Sequence, residues 1–235
     1  MDYEQLVEMI KNLDWVKKRE AEALLNALIK RKNEYRILES KLDANPTQKA
    51  LLDFYLSQSN LNSEDKKTWV LLYWGNGLWK TFVWAYITAC MALWEEGKKL
   101  WLPYIGSKKK IWIGTESWAN VKNTIDVYLL REWSPTRIPP EFIDGNPHYD
   151  NKILKGFKLK NWCEVSIFTY DQGYAKWQGG NPDFMWLDEE PTDERIFTEA
   201  RMRMRTKGSE MLITMTPLNW ETCVYNHFIV NFCTF

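Results

Sequence analysis

The chain has 235 residues, enough for one α/β domain with a sizeable core and a helical appendage. Its 31 Lys and Arg balance 31 Asp and Glu, so no global field draws it to nucleic acid or to a membrane surface. Apolar residues at 45% and charged residues at 26% exclude a disordered chain, and no apolar run reaches the ~18 residues of a membrane span. One imbalance stands out: 14 tryptophans beside only 11 glycines, where glycine ordinarily makes up roughly 7% of a chain.

The first 45 residues predict helix. Leu24, Leu28, Tyr35, Leu38 and Leu42 recur at three- and four-residue intervals, with Lys, Arg and Glu on the other face. Pro46 interrupts that run, and Gln48 to Leu56 predicts one more short helix. Residues 1–60 are therefore expected to form a helical N-terminal arm, its stripe serving core packing before a coiled coil, and residues 61–235 an α/β core. Trp69-Val70-Leu71-Leu72-Tyr73 is a short apolar run of the kind a buried strand needs. The loop from Trp74 follows, then helix to about Glu96. Ile111 to Ile113 predicts a strand, with Ser117 or Asn120 opening a helix. Lys155 to Lys160 and Cys163 to Phe168 predict a hairpin around Asn161-Trp162. Phe184 to Leu187 predicts a buried strand ending in Asp188-Glu189-Glu190, followed by a helix from about Thr192 to Arg205 and a strand from Met211 to Thr214. Strands alternating with helices imply an α/β fold of the P-loop NTPase type, a largely parallel central sheet flanked by helices behind the helical arm.

Cys90, Cys163, Cys223 and Cys233 contain no C-x-x-C pair and read as reduced, mostly buried thiols of a cytosolic protein. With only His148 and His227, a His-based triad or multi-histidine metal site is not expected. Two other constellations carry chemistry. A phosphate loop is written G-x-x-x-x-G-K-[ST]: backbone N–H groups at a helix N-terminus cradle the phosphates, the Lys reaches them, and the Ser/Thr hydroxyl holds Mg²⁺. Here the candidate is Trp74-Gly75-Asn76-Gly77-Leu78-Trp79-Lys80-Thr81, complete except that both pattern glycines are tryptophan. The second is Asp188-Glu189 at the end of an apolar strand, where one carboxylate can hold Mg²⁺ and the next can deprotonate an attacking water. Glu190 is read as structural. Thr214 and Thr216, in Thr214-Met215-Thr216-Pro217, end a strand where a γ-phosphate can be sensed, although the same pattern serves as an ordinary strand exit.

In this order, these residues resemble the ATPase domain of tailed-phage terminase large subunits, the motors that package viral DNA. The resemblance runs from about residue 46 to 225, through the loop before Lys80-Thr81, Asn161 to Phe168 and Trp177-Gln178-Gly179 to Pro182–Pro191 and Thr214–Pro217. It implies that Lys80 and Thr81 bind phosphates and Mg²⁺, that Asp188 completes the metal site, and that Glu189 is the catalytic carboxylate. Thr214 and Thr216 would couple hydrolysis to motion, and Gln48 would read adenine. The implied substrates are ATP with Mg²⁺ and double-stranded DNA. The implied partners are the portal protein and procapsid, a small terminase subunit and sibling copies in a ring, with no membrane, in the host cytoplasm and transiently at the portal vertex. The family's nuclease domain is expected to be absent, since the chain stops at Phe235. No arginine stands at Gly77 or Leu78, where some members carry one; Arg201, Arg203 and Arg205 are alternative arginine fingers, although basic residues late in a helix also follow from its macrodipole. Lys108-Lys109-Lys110 reads as a solvated loop in preference to a DNA contact.

Several tryptophans stand where backbone physics wants glycine. Besides Trp74 and Trp79, Trp162 follows Asn161 where a two-residue type I′ turn needs positive φ, and Trp220 repeats the Asn-Trp pair. Trp94, Trp101, Trp118 and Trp133 occupy helix-end or loop contexts, and Trp84 a helix–sheet contact. Trp112, Trp177 and Trp186 sit where an aromatic is natural, and Trp15 and Trp69 are undecided. Some bacteria read UGA as glycine and others as tryptophan, so the first nine positions are expected to be UGA codons translated with the wrong table. As written, the chain is expected to bind ATP weakly or not at all. Two alternatives follow: another P-loop NTPase, such as a helicase-like enzyme, or a catalytically dead docking module if Trp74 and Trp79 are genuine.

Overall fold

The computed structural model describes residues 17–27, 30, 46–59, 69–73, 80–98, 108–131, 138–205, 209–216 and 222–230. Residues 17–27 are helical; the rest of the first 45 lies almost wholly outside the described residues. Among the described residues, seven strands form one sheet: β1 (Trp69–Tyr73), β2 (Lys110–Thr115), β3 (His148–Asp150), β4 (Ile153–Lys158), β5 (Glu164–Thr169), β6 (Phe184–Asp188) and β7 (Glu210–Met215). Their order is β1-β7-β6-β2-β5-β4-β3. The first five in that order pair parallel, and β4 and β3 add an antiparallel edge. The sheet is thus largely parallel, as expected, and β6 is buried at every residue, which is why it reads as an unbroken apolar run.

Alternation decides which face each side chain serves. Ile111, Ile113, Phe184, Trp186 and Leu212 face the core that holds α2 (Lys80–Lys98) and α1 (Pro46–Ser59), where Tyr55 of α1 meets Trp84 of α2 edge-on at 5.8 Å. Trp112, Met185, Leu187, Met211 and Ile213 face the other core, built with Ile196, Phe197, Ala200 and Met204 of α3 (Glu194–Arg205). On that side Trp177 packs on Phe168, Tyr170 and Trp112, with ring centroids 5.4, 5.9 and 6.5 Å away. Helices on both faces oblige every central strand to be apolar throughout.

Three local findings differ from expectation. The Asn161-Trp162 turn is a three-residue loop: Trp162 N–H donates to Leu159 O at 2.9 Å and Leu159 N–H to Cys163 O at 2.8 Å, placing Trp162 (φ 70°) at the left-handed bulge position. Asn161 is thereby free to donate to Ala92 O of α2 at 2.8 Å while its own side-chain oxygen accepts from Cys163 N–H. Trp118, placed above in a glycine-suited context, is instead the first residue of a helical turn capped by Ser117, an ordinary setting for a side chain. Strand β3 escapes the sequence because all three of its residues are exposed.

Cys90 and Cys163 are buried and free, Cys223 is free and half-buried, and burial pushes the Cys163 thiol up to about 12. No helix among the described residues is long and apolar enough to cross a membrane.

Candidate functional site

Parallel pairing brings the carboxyl ends of β1, β7 and β6 to one edge of the sheet. Tyr73 ends β1 opposite Met215 of β7, and Thr214 lies opposite Asp188 at the end of β6. The described part of α2 begins at Lys80, so the amino end of that helix, with its positive dipole end, belongs to the same edge. This is the crevice in which open α/β sheets bind ligands.

Six predicted residues meet there: Lys80, Thr81, Asp188, Glu189, Thr214 and Thr216. Buried Lys80 donates from Nζ to Thr216 Oγ1 at 2.7 Å and to Glu189 Oε1 at 3.4 Å. Thr216 in turn donates its backbone N–H to Glu189 Oε2 at 2.8 Å and its hydroxyl to Oε1 at 3.1 Å. One step inward, Asp188 Oδ1 accepts from Thr81 Oγ1 at 3.4 Å and from Thr214 Oγ1 at 3.1 Å. Burial, then the neighbouring Glu189 charge, raise Asp188 from 3.8 to about 6, opposed by those two hydroxyls and by Lys80. A buried carboxylate held above its ordinary range, flanked by a threonine hydroxyl, is an oxygen donor set short of positive charge. It fits a hard divalent cation such as Mg²⁺. Among the described residues no group of three or more His, Cys, Asp or Glu clusters as a metal site, so further ligands would come from phosphate oxygens and water.

Glu189 itself sits at φ 61°, a left-handed conformation that costs energy for a residue with a Cβ. Tyr170 holds it there, its hydroxyl donating to Glu189 O at 2.8 Å and Asp188 O at 3.3 Å. Tyr170 is the contributor that the sequence reading missed: it opens the short helical turn that follows β5, remote in sequence, and only the β5-β2-β6 pairing brings it to the end of β6. Burial, with the charges of Asp188 and Glu189 behind it, pushes its hydroxyl well above the ordinary tyrosine range, so it stays a donor. Glu190 accepts from Thr222 Oγ1 at 2.7 Å, and Thr222 caps the helical turn at Cys223–Tyr225, which gives Glu190 a structural job.

Of the other candidates, Gln48 is buried in the first turns of α1. Trp74, Gly75, Asn76, Gly77, Leu78 and Trp79 lie outside the described residues, as do Trp101, Trp133 and Trp220. Arg203 pairs with Glu199 at 3.1 Å, and the Arg201 guanidinium lies 5.5 Å from the Trp69 and Phe197 rings, so both are engaged within their own fold. Lys108 pairs with Glu210 at 2.7 Å, and Lys108-Lys109-Lys110 enters β2 at the end of the sheet opposite Asp188.

The large terminase subunit of Salmonella phage P22 is 25% identical over 156 residues, 58% of this chain and 30% of that protein, so the chain spans about a third of that relative's length. A mutant of the large terminase ATPase domain from Thermus phage P74-26 aligns with a TM-score of 0.39 and 17% identity, covering 65% of this chain and 61% of the other. The family model for the N-terminal part of the T4likevirus-type terminase large subunit matches residues 71–232. The chain belongs to that family of terminase large subunits.

Proposed function

We propose that the chain is the ATP-hydrolysing part of a terminase large subunit, a translocase that drives double-stranded DNA through a portal protein into a procapsid. The observation that carries this reading is the Lys80–Thr216–Glu189 cluster beside Asp188 and Thr81, at the carboxyl ends of parallel strands and at a helix N-terminus. Each residue has a task in phosphoryl transfer. The Lys80 ammonium and the α2 N-terminus neutralise phosphate oxygens. Thr81 and Asp188 would hold Mg²⁺, which when bound supplies charge for the same oxygens. Glu189 takes the proton of the attacking water, and Thr216 aims it. Lys80 rests against Thr216 and Glu189; turning toward a phosphate would release Glu189 from the ammonium but leave it in the grip of Thr216.

Gln48 is assigned to adenine and Thr214 with Thr216 to coupling hydrolysis to motion. The small terminase subunit and sibling copies in a ring are the remaining partners, acting in the host cytoplasm and at the portal vertex. Neutral net charge is consistent with DNA being gripped by an assembly in preference to a lone chain. The test is Mg²⁺-dependent ATP hydrolysis by the chain carrying Trp74→Gly and Trp79→Gly, with and without Glu189→Gln. Hydrolysis that falls by at least about 100-fold on Glu189→Gln, with ATP binding kept, is expected. ATP bound but never hydrolysed would favour the docking-module alternative, and hydrolysis untouched by Glu189→Gln would overturn the assignment of the base.

A further inference from the structure

Two tryptophans hold backbone conformations that do not tolerate a Cβ well. Trp162 has φ 70° at the left-handed position of the three-residue loop, the place glycine fills in such bulges. Trp94 interrupts α2 at φ 46°, ψ −123°, outside every allowed region of an L-residue and within the mirror-image β region that glycine alone enters freely. The surroundings of Trp162 offer no compensation: the side chain is 86% exposed, the extreme among the exposed large apolar residues described. Trp94 is half-buried against the α2-side core and donates from Nε1 to Lys108 O at 2.9 Å, contacts that serve its side chain and leave its main-chain strain in place.

Other tryptophans behave in the opposite way, and the molecule has made room for them. A Cβ added at Gly114 would lie 2.3 Å from Cη2 of Trp177, and one at Gly180 would lie 2.1 Å from Cζ2 of Trp112. Those two glycines are cut back to the backbone because the indoles are there. Trp186 is fully buried in β6 among the core residues of the α2 side. Trp112 and Trp177 are thus residues that neighbours are shaped around, whereas the backbones at Trp94 and Trp162 are shaped for glycine; Trp84, expected above to fill a glycine position, is fully buried in the core beside Tyr55 with no positive φ.

We infer that positions 94 and 162 are glycine in the chain the native gene produces, encoded by UGA that its host reads as glycine. The host must then carry a glycine-charged tRNA that decodes UGA. The backbone angles carry this inference alone, without the ATPase reading, and they reach beyond it: the same decoding at 74 and 79 turns that stretch into G-G-N-G-L-G-K-T, a complete phosphate loop.

The test reads the gene and the stability, not the activity. UGA is expected at codons 94 and 162 and UGG at 112, 177 and 186; UGG at 94 or 162 overturns the inference. Independently, Trp162→Gly should raise the Tm of the chain as written by about 2–4 °C, because strain at a left-handed residue is relieved and the exposed indole has no packing to lose. Trp112→Gly and Trp177→Gly should lower it by about 10 °C, since each empties a packed site. A Tm that Trp162→Gly leaves unchanged or lowers would overturn the structural half of the inference. Because no ATP is involved, the outcome is separate from success or failure of the hydrolysis assay.

Discussion

Thr216 holds both carboxylate oxygens of Glu189, its backbone N–H on Oε2 at 2.8 Å and its hydroxyl on Oε1 at 3.1 Å. The backbone donor survives any substitution except proline, so the hydroxyl is the part that can be tested. Thr216→Val removes one of the two restraints and also the acceptor that Lys80 uses at 2.7 Å. In the chain carrying Trp74→Gly and Trp79→Gly, kcat should fall about 10- to 100-fold with KM for ATP little changed, as expected when a reacting group is mis-aimed. Thr216→Ser should recover most of the loss. Steady-state kinetics of the two variants checks this, and equal defects in both would contradict a role for the hydroxyl.

Tyr170 supports the same carboxylate from below, through the Glu189 carbonyl at 2.8 Å. Tyr170→Phe keeps the ring that packs on Trp177 and removes only the hydroxyl, leaving a carbonyl without its donor. Stability should drop by about 1–3 kcal/mol, and kcat should fall because the left-handed turn at Glu189 is no longer pinned. Urea denaturation and ATP hydrolysis on the same preparation measure both effects; a stability loss with unaltered kcat would separate Tyr170 from catalysis.

Asp188 gives a pH dependence whose sign follows from its raised value. Between the ordinary value of 3.8 and about 6 the folded chain keeps a proton that the unfolded chain has released. Stability contributed by this residue therefore falls as pH rises across that window and levels off above it. Asp188→Asn should remove this slope and make the nucleotide-free chain more stable at pH 7 by roughly 2–3 kcal/mol, while abolishing Mg²⁺-dependent hydrolysis. Denaturation of both chains at pH 4, 5, 6 and 7 tests it; parallel profiles would contradict the buried-charge account.

The elements most legible in the sequence were those that physics leaves least choice. β6 announces itself because a strand covered by helices on both faces must be apolar throughout, and Asp188 and Glu189 then stand at the strand end by position alone. β1 carries the same apolar run although it is the edge strand and Trp69, Val70 and Leu71 are only half-buried. The edge strand β3 was not legible, since His148, Tyr149 and Asp150 are all exposed and carry no alternation of burial. Tyr170 was hidden for another reason: its partner carbonyls are set by sheet order, a property that no local pattern encodes. At Trp162 the demand for positive φ was readable from the Asn-Trp pair between two strands, but the turn type was not, because the Asn161 side chain is drawn to the Ala92 carbonyl of α2. Trp118 was misjudged in the opposite direction: the Ser117 cap makes its position the start of a helix, where a side chain is welcome.

We propose that Lys80 and the stretch before it bind phosphate once Trp74 and Trp79 are glycine. An ATP titration in Mg²⁺, comparing the chain as written with the Trp74→Gly/Trp79→Gly variant and with that variant carrying Lys80→Ala, tests it most directly. The account predicts binding by the double variant at least about 100-fold tighter than by the chain as written, lost again on Lys80→Ala. Equal, tight ATP binding by the chain as written and by the double variant would contradict it.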